Sequence, residues 1–360
     1  MKTHPNFPDR LNIKPSLAPG LPQTGKDENT SAFDSESQSA AIEKYGIAGR
    51  VWEAAYLLTQ YFEPAPQSDW GFDPPCSMIS EPSLGEPLTV IELGSGTGFV
   101  GLSLVKQLQQ VGVRDSLVIV TDLPDVCRLL ENNLHVERQK WNQNTPTDVW
   151  VKPLAWGGLS DSNQLAVDLG LSSSNPALRR HPTHLICSDL VYFPHLLAPL
   201  LRSLLHLTSP PFAPMNTTVT KATNNTTTTS PEIIVSYEIR SLPKESPFWS
   251  AFGLWFSYIP LAARRKEKRE GTKMDVSVDV DPSRFRGKWR RFGDERRDAD
   301  GHAFVFIARR RPESYAWRIP DDDTDLLAGV GARGTQYPKS DDTFEMLLLM
   351  TMDDESDDDA

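Results

Sequence analysis

Apolar residues along this chain follow two alternating periods. Leu88, Val90, Ile91 and Leu93 form a short, nearly continuous run, as a strand covered on both faces requires. Val100, Leu104 and Leu108 then recur every four residues, the spacing of a helix face. The alternation repeats down the chain. It predicts a strand over 117–121, a helix over 124–138 and a strand near 149–154. A strand over 184–188 leads into a leucine-rich helix over 194–207, with proline in its first turn. Residues 232–239 read as a strand, 248–255 as a helix, 256–261 as a short strand and 302–308 as a last strand. Upstream, Val51, Trp52, Ala55, Leu58 and Phe62 mark a helix face ending before Pro64. Such alternation predicts an α/β fold, a parallel sheet with helices on both faces.

The turn between the first strong strand and its helix is Gly94-Ser-Gly-Thr-Gly98. Its glycines lack the Cβ that would hold a ligand off the backbone, and they reach backbone angles other residues avoid. Glu92 lies two residues before this turn and Asp122 closes the next strand. Two carboxylates at successive strand ends suit an electroneutral ribose and a cationic amino-acid head, and they repel a pyrophosphate. Gly96, Gly98 and Gly101 also satisfy the spacing of a dinucleotide-binding turn. No second mononucleotide-binding half follows, which counts against that alternative.

Composition changes this picture at the margins. The 360 residues include 29 prolines and only 39 % hydrophobic residues, so irregular segments dilute one good core. Residues 1–40 are expected to be disordered, and 41–318 to form one domain. Within it, 209–231 is a threonine-, asparagine- and proline-rich insertion, and 262–299 a basic one. The net charge of −11 resides in the segment from Ile319 onward, which holds 13 acidic and 2 basic residues and is expected to be a mostly disordered acidic tail. No apolar run reaches membrane-spanning length, and the N-terminus has no signal-peptide core. Cys76, Cys127 and Cys187 are too few and scattered for a disulfide framework or a zinc site, and no metal is expected. A cytoplasmic protein with nuclear access, monomeric, is the expectation.

Two further segments end predicted strands. Leu154-Ala-Trp-Gly157 offers Trp156 as a packing residue or an aromatic wall, and Ser188-Asp-Leu-Val-Tyr192 puts Asp189 where α/β folds bind ligands. Taken in order, Gly49-Arg-Val-Trp-Glu-Ala-Ala55, Glu92-Leu-Gly-Ser-Gly-Thr-Gly98, Thr121-Asp-Leu-Pro124, Leu154–Gly157 and Ser188–Tyr192 resemble the successive motifs of the family 16 lysine methyltransferases, over roughly residues 42–310. That resemblance implies a Rossmann-like seven-strand sheet and S-adenosylmethionine as cofactor. It implies that Trp52 lies along the cofactor. Gly94, Ser95, Gly96 and Gly98 would cradle its amino-acid end, with Glu92 behind. Asp122 would hold the ribose, Trp156 flank the adenine and Ser188 line the pocket. Asp189 and Tyr192 would stand at the entrance for a substrate lysine, as catalytic residues.

The implied reaction is N-methylation of a protein lysine, in a translation factor such as elongation factor 1A. A small-molecule amine methyltransferase of the nicotinamide type and a non-catalytic cofactor-binding module remain as alternatives. A lysine must be neutral to attack, and on the order of one in a thousand is neutral at pH 7. Asp189 is therefore expected to attract and orient the ammonium rather than act as a strong base. In the basic stretch, Arg290, Arg291, Arg296 and Arg297 interleave with Trp289 and Phe292, a pattern compatible with a nucleic-acid or ribosome contact, a partner for the acidic tail, or a solvated insertion.

Overall fold

The computed structural model describes residues 6–8, 11–16, 31–65, 67–79, 87–113, 115–141, 147–214, 230–266, 288–293 and 302–353. In chain order the helices and strands begin with α1 (Ser35–Tyr45), α2 (Glu53–Tyr61), β1 (Trp70–Asp73), β2 (Leu88–Leu93), α3 (Phe99–Val111), β3 (Ser116–Asp122) and α4 (Cys127–Arg138). There follow β4 (Thr147–Pro153), α5 (Leu159–Asp168), β5 (His184–Ser188), α6 (Pro194–Leu207), β6 (Glu232–Glu238) and α7 (Leu242–Trp255). The series closes with β7 (Phe256–Pro260), β8 (Ala262–Arg265), β9 (Arg290–Arg291), β10 (Ala303–Arg310), α8 (Asp323–Leu327) and α9 (Thr343–Asp353).

Seven strands form one sheet in the order β4-β3-β2-β5-β6-β10-β7. The first five are mutually parallel, and β10 runs antiparallel between β6 and β7. The expected α/β fold with a Rossmann-like seven-strand sheet is what the chain adopts. Alternation along the strands explains the two cores. Ile91, Leu93, Leu117, Ile119, Leu185 and Cys187 face the α6 and α7 side. Leu88, Val90, Val118, Val120, Ile186 and Ile234 face α2 and α3. Every residue of β2 is buried, so both faces must be apolar, and its sequence is accordingly a run rather than an alternation. The spans of β2, β5 and α6 are those expected from the sequence.

A second, three-stranded antiparallel sheet, in the order β1-β8-β9, lies outside this plan. Phe72 and Phe292 meet at 5.0 Å between ring centroids and join it to the core on the α2 side. It takes up the described part of the basic insertion. Residues 267–287 and 294–299 of that stretch, with Arg296 and Arg297, lie outside the described residues, as do 215–229 of the low-complexity insertion.

Two expectations of disorder differ from the structure. Helix α1 begins at Ser35, capped by the Asp34 carboxylate, which accepts from the Ser37 amide at 2.8 Å. Its Gln38 is buried and accepts from the Ser16 and Val51 amides, so a polar residue organises this end of the chain. The acidic tail likewise folds back. Leu326, Ala332 and Phe344 are fully buried, and the Phe344 ring stacks on Trp249 of α7 at 5.0 Å. A few large apolar side chains anchor a segment whose average composition reads as disordered.

Among the described residues no helix is long and apolar enough to cross a membrane, and no group of three or more acidic, histidine or cysteine side chains could hold a metal. The three cysteines are buried and unpaired with one another.

Candidate active site

From the boundary between β2 and β5, the chain winds outward in both directions across the sheet. Loops leaving the carboxyl ends of those two strands therefore diverge, and such a divergence opens a crevice. A cavity of about 530 Å³ occupies it, lined by the loops after β2 through β6 and also by Asn6 and Leu11. Trp52, Glu92, Gly94, Ser95, Gly96, Asp122, Trp156, Ser188, Asp189 and Tyr192 all line it. Gly98 does not: it caps α3 in the left-handed region, and a Cβ there would meet Leu130 behind the loop.

The floor is the glycine turn. Gly94 and Gly96 have φ of +55° and +54°. A Cβ on Gly94 would come within 2.7 Å of the Trp156 ring, and one on Gly96 within 2.9 Å of the Ala48 carbonyl oxygen. Both contacts are closer than real Cβ atoms make, so the backbone reaches the cavity wall only because these positions carry no side chain. Ser95 stitches the turn to β3: its amide donates to the Thr121 carbonyl at 2.8 Å, and its hydroxyl accepts from the Thr121 amide at 3.0 Å. Ser95 thus shapes the cradle more than it offers a free hydroxyl.

Glu92 is a brace behind that cradle. Its carboxylate accepts from the Gly101 amide at 3.1 Å, and a Cβ on Gly101 would meet the same oxygen at 2.5 Å. Burial pushes its carboxyl up to about 8, and hydrogen bonds from Ser95 and the Gly101 amide only partly offset this. Between pH about 4.5 and about 8 the folded protein therefore keeps a proton that the unfolded chain has released. The ligand-free fold loses stability from this group as pH rises across that window. Glu92→Gln keeps the acceptor and removes the titration. Its melting temperature relative to wild type is expected to rise between pH 6 and 8.5. A constant difference across that range would sink the assignment.

Asp122 closes β3 facing the cavity. One oxygen accepts from the Gly96 amide at 2.8 Å and the other from the Leu123 amide at 2.7 Å. Each oxygen keeps a lone pair for a hydroxyl. Burial raises its carboxyl to about 6, against the lowering effect of those two amides.

Asp189 occupies the opposite wall, at the end of β5. Its backbone is left-handed (φ +61°), held by its amide donating to the Ser236 carbonyl at 2.8 Å. The side chain is fully buried, and Arg240 grips it with both terminal nitrogens: Nη1 donates to Oδ1 at 2.8 Å and Nη2 to Oδ2. The carboxylate expected to meet a substrate ammonium is thus already charge-balanced, a difference from the sequence reading with a plain physical cause, since a bare buried carboxylate is costly. Burial alone would lower the Arg240 pKa, but Asp189, Glu238 and Glu245 more than reverse this, so it stays a cation.

Tyr192 packs edge-on against Trp156 (6.3 Å) and Phe193 (4.7 Å), and burial raises its phenol pKa, with Asp122 and Asp189 adding to the effect. Ser188 accepts from the Ser236 hydroxyl at 3.4 Å. Trp52 precedes α2 rather than lying on its face; its indole donates to the Ile47 carbonyl, and its ring lies beneath Arg50 (4.3 Å) and Arg240 (5.3 Å).

Arg240, Arg50 and Lys244 are the basic cavity residues that sequence reasoning passed over. Arg240 follows a strand end at the same sheet edge as Asp122 and Asp189. A cation there is the signal that would have found it.

Comparison with known proteins adds three findings. A family model described as "Lysine methyltransferase" matches residues 37–229. A UPF0665 family protein of Schizosaccharomyces pombe is 24% identical over 146 residues, 41% of this chain and 34% of that protein. The chain thus matches about a third of that relative's length. Among solved structures, the CMeT domain of the citrinin polyketide synthase shares 14% identity over 44% of this chain and 31% of its own, with a TM-score of 0.26.

Proposed function

Since the chain belongs to the lysine methyltransferase family, we propose that it is an S-adenosylmethionine-dependent protein-lysine N-methyltransferase. The observation that supports this most is a single cavity joining a glycine cradle and a ribose-type carboxylate to an aromatic, acid-bearing mouth. The residues fit the cofactor. The bare backbone of Gly94 and Gly96 leaves room for its amino-acid end, Asp122 retains acceptors for ribose hydroxyls, and Trp156 gives the adenine an apolar wall. Trp52 and Ser188 would complete the lining, with Glu92 and Ser95 fixing the turn. When bound, S-adenosylmethionine supplies a methyl group on a sulfonium that departs as a neutral thioether.

The chain's own part is orientation and exclusion of water. Tyr192, Phe193 and Trp156 present aromatic edges and faces to an incoming aliphatic side chain, and the two rings beside Tyr192 keep that wall in place. The Tyr192 phenol stays protonated and can donate a hydrogen bond. Asp189 aligns the nucleophilic nitrogen through Oδ2, which accepts from Arg240 alone, whereas Oδ1 accepts from both Arg240 and the Glu238 amide. A protein substrate is the finer part of the proposal, and a translation factor such as elongation factor 1A is the first to test, on the family resemblance.

The test is transfer of radiolabelled methyl from S-adenosylmethionine into lysate proteins. A discrete labelled band, suppressed by excess S-adenosylhomocysteine, is the expected result. Label confined to small molecules would replace a protein substrate by a free amine. No label despite measured cofactor binding would leave only a binding module.

A further inference from the structure

An amine at a methyl-transfer site faces a conflict. A carboxylate draws it in, but the same carboxylate favours the protonated form, which has no lone pair to attack with. A buried, unpaired carboxylate does this most strongly, because low dielectric magnifies the interaction. Asp189 is buried in this way, yet it is not unpaired.

The guanidinium of Arg240 meets it with two parallel hydrogen bonds, the geometry that fixes a carboxylate most firmly. The Glu238 amide donates to Oδ1 as well, at 3.4 Å. Arg240 is itself positioned: its guanidinium lies over the Trp52 ring, which Arg50 also covers, and Glu238 reaches it at 4.0 Å. The charged and titratable groups that face the pair come from every neighbouring element. They are Glu238 and Glu245 beside Arg240, Tyr192 and Asp122 across the cavity, and Arg50 and Lys244 at the rim. Glu245 is occupied, accepting from the Tyr237 hydroxyl at 2.6 Å and from the Ser241 amide at 3.0 Å.

On the reading that the nucleophile is a lysine amine, we propose that Arg240 is a positioning residue that cancels the charge of Asp189, so that the amine meets an oriented acceptor rather than a bare anion and stays neutral enough to react. The neutral amine donates N–H to Asp189, and its lone pair is left pointing away from the carboxylate. Arg240 thereby sets the protonation of its substrate without touching the reacting atoms.

Sinefungin tests this without a known substrate, because it carries a primary amine where the cofactor carries its methyl sulfonium. S-adenosylhomocysteine lacks that amine and serves as the reference. Calorimetry on the full chain gives both affinities between pH 6 and 9. In the wild type the ratio is expected to move toward sinefungin as pH rises, with proton release on binding, because the site takes the amine in its neutral form. In Arg240→Gln the unpaired carboxylate holds the ammonium, so at pH 6–8 sinefungin is favoured over the wild-type ratio roughly tenfold or more, equivalent to about one pKa unit, and the proton release on binding is lost. The preference disappears at high pH. Arg240→Lys restores the charge and the wild-type ratio, which also guards against a folding defect in the glutamine variant. If both ligands weaken together in Arg240→Gln with an unchanged ratio, or if Arg240→Lys behaves like Arg240→Gln, the proposal is overturned. Failure of the wild type to bind either ligand would instead overturn the cofactor reading on which it rests.

Discussion

Gly96→Val is expected to weaken S-adenosylmethionine binding by more than about a hundredfold, equivalent to about 2.7 kcal/mol. Two costs combine at this position. The backbone is left-handed (φ +54°), where a β-branched residue is a genuine outlier and the conformation costs about 1–2 kcal/mol. A Cβ would also stand 2.9 Å from the Ala48 carbonyl oxygen, a main-chain atom that cannot swing aside as a side chain can. The loop must shift, and with it the Gly96 amide that holds Asp122 at 2.8 Å, so the cradle and the ribose carboxylate move together. Gly112→Asn is the control. It has a comparable positive φ of +72° at the end of α3, but open space around the added Cβ. Its affinity should match wild type in calorimetry. Undiminished binding by Gly96→Val would put the cofactor elsewhere.

Phe344→Ala is expected to destabilise the whole domain by about 3–5 kcal/mol, the usual cost of truncating a fully buried phenylalanine. The ring has no exposure. It stacks on Trp249 at 5.0 Å and 14°, and it lies 5.9 Å from both Tyr237 and Phe304. Those partners belong to α7, β6 and β10, so the cavity left behind would open inside the main core rather than at its edge. Asp341 seats the same segment: its amide donates to the Ser250 hydroxyl at 3.2 Å and its carboxylate accepts from the Thr343 amide at 3.0 Å. Thermal unfolding should fall by on the order of 10 °C. A melting temperature equal to wild type would mean that the tail is an appendage and the aromatic face is covered in some other way.

That contrast shows where sequence is informative. The strands β2 and β5 and the helix α6 are legible because their signals are local: an apolar run of strand length, a turn, then a four-residue period. Helix α5 escaped notice because Leu159 and Val167 are exposed while only Ser162, Leu165 and Ala166 are buried, which blurs its period. Helix α1 buries Gln38, and no hydrophobic pattern announces a glutamine that works by accepting two amides. The small sheet pairs Trp70 with Arg265, nearly two hundred positions apart, in strands too short to be periodic. Composition misled at the tail for a related reason, since thirteen acidic residues outweigh one phenylalanine in any average but not in a core. Within the cavity, strand ends and glycines identified the glycine turn and the carboxylates Glu92, Asp122 and Asp189. The Arg240–Asp189 pair was not legible, because it spans 51 positions and joins two different loops.

A lysine nitrogen as the methyl acceptor leaves a direct chemical signature. Acid hydrolysis of the labelled protein band, followed by separation of its amino acids, tests this directly. The predicted result is radioactivity co-eluting with mono-, di- or trimethyllysine. Radioactivity recovered in methylarginine, in methylhistidine or as volatile methanol from an ester would contradict it.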